Sequence, residues 1–131
     1  MSEEVNEMEM IVPKGCDNAP RKQIVIDFAA ALLQKREDVI EEYADASIVW
    51  HRLKENETVN GLDLLFAASQ AEKELGVACL EVERVITHGK FASINGVLTL
   101  ADGSEVDFCD VYTFSSAAKS GKVKRVKSYR L

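Results

Sequence analysis

Cysteine and histidine are scarce in this 131-residue sequence, which contains three of the first and two of the second. The odd number of cysteines (Cys16, Cys79 and Cys109) and the lack of a Cys-x-x-Cys pair argue against a disulfide framework or a zinc knuckle. Such usage is typical of a reducing compartment. The two histidines, His51 and His88, lack the spacing of a metal-binding motif, so we expect no metal site.

Basic residues are also fewer than acidic ones: the chain has 16 lysines and arginines and 22 aspartates and glutamates, which gives a net charge of −6. An acidic chain is a poor partner for nucleic acid and for anionic membrane surfaces, so neither is expected as a partner. No apolar stretch approaches ~18 residues, the length that a membrane-spanning helix needs. The first ten residues carry four glutamates and no basic residue, unlike a secretion signal, and a cytoplasmic location is predicted.

Apolar residues are plentiful at 47%, which indicates a folded chain rather than a disordered one. A chain of this length fits one domain around one core. We therefore predict a flexible acidic leader over residues 1–12 and a single domain over residues 13–131.

Apolar spacing and capping residues predict three helices in the first part of the chain. Asp17 or Asn18 can cap the first helix, and a short second helix follows a polar break at residues 34–36. Gly61 is expected to open the third helix and Gly76 to end it. The expected apolar face of that third helix consists of Leu64, Ala68, Ala71 and Leu75.

Strand patterns fill the remainder of the chain. A β-branched and aromatic run at residues 47–51 predicts one strand, and residues 54–60 are interpreted as a loop or a hairpin. After Gly76, four strands joined by tight turns are expected, with a bulge near Val85. One face of the third of these strands is expected to carry Phe108, Asp110, Tyr112 and Phe114. The predicted fold class is α+β, with a curved antiparallel sheet wrapped around three N-terminal helices.

This order of elements resembles the nuclear-transport-factor-2-like superfamily, which includes ketosteroid isomerases, SnoaL-like polyketide cyclases and scytalone dehydratase. The likeness rests on the segment from Tyr43 to His51, on Gly61 before a helix, and on the segment from Asp110 to Phe114. The resemblance covers nearly the whole chain. It implies a cystatin-like cone with a pocket between the helices and the sheet.

Four shorter segments, residues 15–20, 86–90, 95–96 and 108–112, resemble an uncharacterised bacterial branch of the same superfamily. No known reaction comes with that branch. The resemblance therefore implies a fold and a pocket, and it leaves open whether chemistry takes place there.

Ketosteroid isomerase uses a carboxylate base together with a tyrosine and a protonated aspartic acid that hold an oxyanion. The resemblance implies that His51 stands at the position of the base and Asp110 at that of the protonated acid. The first-helix tyrosine falls on Asp27 or Phe28, so one of the two oxyanion donors is missing. Losing one such donor typically costs ~100-fold or more in rate, which argues against steroid isomerisation.

Asp110 and His51 are the candidate catalytic pair, because a desolvated carboxyl with a raised pKa and an imidazole can exchange protons near neutral pH. Each has a structural alternative. Asp110 could instead pair with a hydroxyl, a histidine or a cation and organise the core, and His51 could be a satisfied core or rim residue. Alternation sends Trp50 and His51 to opposite faces of their strand, and the sequence leaves open which of them points inward.

Candidate ligand-binding residues belong to the expected pocket wall. They are Phe28, Val49, Asn95, Phe108, Tyr112, Val126, Ser128 and Arg130. No cofactor is expected. A homodimer through the outer face of the sheet is predicted, with outward candidates Trp50, Cys109, Val111 and Thr113.

Three functions remain open at this point. The chain could be a pocket protein that binds a small apolar or carbonyl-containing molecule. It could be a cofactor-independent isomerase, cyclase or dehydratase that uses Asp110 and His51 as an acid–base pair. It could also be a dimeric structural domain whose own side chains fill the cavity.

Overall fold

The computed structural model describes residues 8–15 and 19–131, which form three α-helices and seven strands. These elements are β1 (Glu9–Ile11), α1 (Pro20–Gln34), α2 (Glu37–Tyr43), β2 (Ala44–Arg52), β3 (Glu57–Asn60), α3 (Leu62–Leu75), β4 (Val77–His88), β5 (Phe91–Leu100), β6 (Glu105–Phe114) and β7 (Val123–Arg130). The predicted order of two helices, a strand, a third helix and four later strands is confirmed. Strand β3 forms a hairpin with β2, which was one of the two alternatives for residues 54–60, and β1 is an addition to the prediction. No helix in this part of the chain has both the length and the apolar character needed to cross a bilayer.

All seven strands belong to one sheet with the order β1-β4-β5-β6-β7-β2-β3. Strands β4 to β7 pair antiparallel as a meander, and β2 pairs antiparallel with β3. Two pairs are parallel, β1 with β4 and β2 with β7, so the expected antiparallel sheet is correct for most of its ladders and not for these. Helix α1 contacts β4 and β5 and so covers one face of the sheet. The α+β class is confirmed.

The predicted leader is shorter than expected at its C-terminal end. Residues Glu9–Ile11 form β1, which pairs in parallel with β4 from Cys79 to Glu81. Backbone hydrogen bonding of an otherwise exposed segment to the edge of a sheet needs no apolar pattern, which is why the sequence carried no signal for it. Residues 1–7 lie outside the described part of the chain, as do the predicted cap residues Asp17 and Asn18.

Helix α3 has the predicted ends, because Gly61 precedes it and Gly76 ends it in the left-handed conformation with φ of 77°. Its predicted apolar face is right at Ala68 and wrong at Leu64, which is 60% exposed, and at Leu75, which is also exposed. The buried face consists of Leu65, Ala68, Ser69 and Glu72. Two polar residues can occupy that face because both are hydrogen-bonded: the Ser69 hydroxyl donates to the Leu32 carbonyl at 2.6 Å, and Glu72 accepts from two arginines.

A bulge in β4 shapes the sheet where it was predicted. The pairing of β4 with β5 shifts between Val82 and Arg84, so Val85 becomes buried. Gly96 lies opposite this bulge, and a Cβ atom there would stand 1.8 Å from the Glu81 carbonyl oxygen. The close approach of the two backbones therefore requires glycine at this position.

Candidate functional site

Asp110 lies on β6 in the interior of the domain and is 8% exposed. It is flanked by Ile94 of β5 and Ser128 of β7 in the strand register. The residues two positions away on either side, Phe108 and Tyr112, are buried on the same face. The predicted inward orientation of this acid among aromatic rings is confirmed.

The carboxyl of Asp110 is only partly satisfied. Its Oδ1 atom is buried and has no hydrogen-bond partner among the described residues. Burial disfavours the charged form and raises the pKa of Asp110 to about 6, although hydrogen bonding from the Ser128 hydroxyl and the charge of Arg130 act against the shift. Ser128 is itself held in place, because its Oγ accepts a hydrogen bond from the Trp50 Nε1–H at 2.9 Å.

A small cavity of about 10 Å³ lies beside this carboxyl. Its lining consists of Ala29, Leu32, Leu33, Trp50, Leu80, Leu98, Phe108, Asp110 and Arg130. A volume of this size is close to the minimum that holds one water molecule. Most of the interior between α1 and the sheet is therefore filled by the domain's own side chains, and only a group of about one heavy atom fits beside Asp110 without movement.

Four charged side chains, which we call the ion-pair cluster, lie next to this cavity: Arg52, Glu57, Glu72 and Arg130. Glu72 is 1% exposed and accepts hydrogen bonds from Arg52 Nη2 at 2.6 Å and from Arg130 Nη1 at 2.8 Å. Arg52 also donates to Glu57 at the rim. Arg130 lines both the cavity and a surface depression that Arg52 and Glu72 also line, so the Arg130 side chain lies between the cavity and this depression.

Sequence reasoning missed Arg52 and Glu72, since charged residues normally point to solvent. One signal was available for Glu72. It lies seven residues after Leu65 and four after Ala68, on the same helical stripe, so burial of Leu65 would have implied burial of Glu72.

His51 is not part of this site. Trp50 is the inward residue of β2, and His51 lies half-buried on the opposite face with its Nδ1 3.3 Å from the Thr58 Oγ1. The expected Asp110–His51 pair therefore does not form. The register places Ile48, Trp50 and Arg52 inward, because the indole has a large apolar area to bury and its N–H finds Ser128.

Two predicted ligand-binding residues also face outward. Val49 is on the same face of β2 as His51. Asn95 lies on the outer face of β5, where its Nδ2 donates to Glu83 at 3.3 Å. Both predictions are wrong. Side chains alternate between the two faces of a strand, and the residues next to Val49 and Asn95 in sequence are buried on the inner face.

The remaining predicted site residues divide into two groups. Phe108 and Arg130 line the cavity with Asp110, and Ser128 stands next to that carboxyl. Phe28, Tyr112 and Val126 are fully buried core residues that do not line it. The rings of Phe28 and Tyr112 meet edge to face at 5.9 Å, and the Tyr112 hydroxyl has no partner among the described residues. Burial raises the pKa of Tyr112 well above its ordinary value.

Within residues 8–15 and 19–131, no three His, Cys, Asp or Glu side chains are grouped so that they could hold a metal ion. Cys79 and Cys109 are half-buried free thiols, and burial raises the pKa of each. Cys16 lies outside the described residues. The cavity and its ion-pair cluster therefore carry the chemistry that this interior can offer.

No protein-family model and no curated protein sequence matches the chain. Several solved structures are similar to it over most of its length. A proposed SnoaL-like polyketide cyclase from Shewanella denitrificans has a TM-score of 0.68 and 15% identity, covering 86% of this chain and 91% of its own. A proposed ketosteroid isomerase from Shewanella frigidimarina has a TM-score of 0.62 and 16% identity, covering 91% and 99%. An NTF2-like protein of unknown function from Cytophaga hutchinsonii has a TM-score of 0.59 and 22% identity, covering 83% and 97%. Likenesses at this level of identity establish the fold.

Proposed function

We propose that this chain, which has the nuclear-transport-factor-2-like fold, binds a small neutral molecule whose carbonyl or hydroxyl group enters the interior beside Asp110. The observation that carries the proposal is the buried Asp110 Oδ1, which lacks a partner and borders a cavity with mostly apolar walls. An unsatisfied buried polar atom costs free energy, and a ligand that supplies its hydrogen bond removes that cost.

The charge balance of the interior favours a neutral ligand. Arg130 and Arg52 are matched by Glu72 and Glu57, so the cluster needs no further counter-ion. With a pKa of about 6, roughly a tenth of Asp110 is protonated at pH 7 and about nine-tenths at pH 5. The protonated carboxyl can donate a hydrogen bond to a carbonyl oxygen, whereas a carboxylate cannot.

The size of the cavity sets a limit on binding. A ligand larger than one heavy atom must displace side chains that line the cavity. Of these, Arg130 is more movable than Phe108, because its guanidinium makes one described hydrogen bond, to Glu72, while Phe108 packs in the core. We therefore expect weak binding that depends on the position of the Arg130 side chain.

Proton-transfer catalysis has less support than binding. Asp110 is the single carboxyl among the described cavity-lining residues, and no histidine is among them. An isomerase, cyclase or dehydratase that takes a proton from one atom and returns it to another could use Asp110 alone for both steps, but the expected second group, His51, faces away.

A titration with cyclohexanone tests the proposal, with methylenecyclohexane as a probe of the same shape that lacks the acceptor oxygen. Binding of the ketone should strengthen about tenfold between pH 7 and pH 5, following protonation of Asp110. The Asp110→Asn variant, whose amide donates at every pH, should bind it without this pH dependence. The signal of the indole N–H is a direct reporter, because Trp50 lines the cavity and is the only tryptophan.

Two results would contradict the proposal. One is equal binding of cyclohexanone and methylenecyclohexane, which would mean that the carboxyl makes no contact with the ligand. The other is the same pH dependence in Asp110→Asn as in the unchanged protein, which would assign the titration to a different group.

As a second function we propose a homodimer through the outer face of the sheet. Four apolar side chains on that face are exposed and form what we call the outer patch: Ile86, Phe91, Val111 and Tyr129. Trp50 is not part of it, contrary to expectation, because it points inward.

The exposed apolar side chains of the outer patch suit a second copy of the chain. A twofold axis running along the strands between β5 and β6 would set the two outer patches against each other and bury them. Sedimentation equilibrium at micromolar concentration should give a dimer, and Val111→Glu should give a monomer. Leu64→Glu, at an exposed apolar site on α3, is the matched control and should stay dimeric; a monomeric unchanged protein would refute the proposal.

A further inference from the structure

A groove of about 470 Å³ lies at the N-terminal end of α1, away from the Asp110 cavity. Pro20, Ile24 and Ala117 supply apolar surface to it, and the turn between β4 and β5 closes one side. This volume is within the range of pockets that hold small molecules, and it is far larger than the cavity beside Asp110. The groove shares no lining residue with that cavity.

The charged groups of the groove are all of one sign. Arg21 and Lys119 line it, and His88 adds an imidazole, whereas no described carboxylate lines it. The first turn of α1 also contains no acid and directs its partial positive charge to the same end. The net charge of the chain is −6, whereas the charged residues described in this groove are basic, and this local excess of positive charge favours an anionic ligand.

Arg21 is the residue of the groove that most favours binding of an anion. Its guanidinium stacks 3.9 Å from the centre of the Phe114 ring, and its Nη2 donates to the Ala118 carbonyl at 2.7 Å. Its Nη1 is buried and lacks a hydrogen-bond partner in the described part of the chain. Burial alone lowers the pKa of Arg21, and no acid offsets that effect. The stacking on Phe114 and the hydrogen bond to the Ala118 carbonyl therefore hold the guanidinium in place, while the N–H groups of Nη1 lack a partner among the described residues.

We infer that this groove binds a monocarboxylate with an apolar chain, whose carboxylate accepts from Arg21 and approaches Lys119 while its chain lies against Pro20 and Ile24. A carboxylate matches the planar guanidinium better than a neutral hydroxyl does. The apolar surface of Pro20, Ile24 and Ala117 explains why a simple inorganic anion would fill the groove poorly.

Octanoate is the test probe, and 1-octanol is the neutral probe of the same chain length. Octanoate should bind at least about tenfold more tightly than 1-octanol by calorimetry, the difference that one charge-assisted hydrogen bond supplies. Amide signals in ¹H–¹⁵N spectra should shift at Arg21, Gly89 and Lys119, and the Trp50 indole signal should not move.

Three variants locate the contact. Arg21→Gln should weaken octanoate about tenfold and leave 1-octanol unchanged, since it removes the charge. Lys119→Gln should weaken octanoate by a smaller factor, and it keeps the proposal testable if Arg21→Gln fails to fold, because Lys119 is exposed. Lys124→Gln, an exposed lysine on β7 outside the groove, is the matched control and should bind octanoate as the unchanged protein does.

The inference fails if octanoate and 1-octanol bind equally, if octanoate shows no saturation at millimolar concentration, or if the shifts cluster at Trp50 and Phe108. The last result would place the ligand in the interior cavity. It would count against this groove, whereas the function proposed above is decided by its own titration with cyclohexanone, so the two proposals fail independently.

Discussion

Replacing Glu72 with glutamine is expected to lower the free energy of unfolding by about 3–5 kcal/mol, the usual cost of removing one charged partner from a buried ion pair. Glu72 is almost completely buried and holds Arg52 and Arg130 at once. A glutamine amide retains one acceptor oxygen and turns its NH₂ group toward the other arginine, so at least one of the two buried arginines loses its hydrogen bond to residue 72. Urea denaturation at pH 7 measures the change.

Glu74→Gln is the matched control, because it makes the same chemical change in the same helix. Glu74 is exposed and accepts only from the Gln70 side chain at 2.9 Å, so its replacement should change the free energy of unfolding by less than about 0.5 kcal/mol. A loss below about 1 kcal/mol for Glu72→Gln would mean that solvent reaches the ion-pair cluster and that it does not close the interior.

The second expected result concerns the pH dependence of stability. The pKa of Asp110 is raised from 3.8 to about 6 on folding, so between these values the folded state binds more protons than the unfolded state. Stability contributed by this group is therefore present in full below pH 4 and is lost as the pH rises to 6, by about 3 kcal/mol in total. Above pH 7 no further change arises from it.

Asp110→Asn isolates this effect, because asparagine does not titrate. Several other acids have a lowered pKa, among them Asp45 and Asp102, and they act in the opposite direction. The quantity to follow is therefore the difference between the two proteins from pH 4 to pH 7. The variant should gain about 3 kcal/mol relative to the unchanged protein over that interval. A flat difference for Asp110→Asn over this interval would contradict burial of the charge.

The inward position of Asp110 was predictable because β6 alternates strictly. A two-residue period leaves one choice of face when Phe108, Tyr112 and Phe114 must all be buried, and the acid follows them. Strand β2 is different. Ile48 and Val49 are apolar and adjacent, as are the ring-bearing Trp50 and His51, so either register buries apolar area and local pattern could not choose between them.

The sequence by itself determined the order of the helices and of the strands after β1, the glycines that bound α3, the bulge in β4 and the face of Asp110, because each depends on local conformation or on period. Tertiary structure alone decided the rest: that Trp50 and not His51 points inward, that Glu72 is buried between Arg52 and Arg130, and that about 10 Å³ remains beside Asp110. These depend on partners far apart in the chain and on how side chains fill a shared volume, and neither is encoded in the spacing of neighbouring residues.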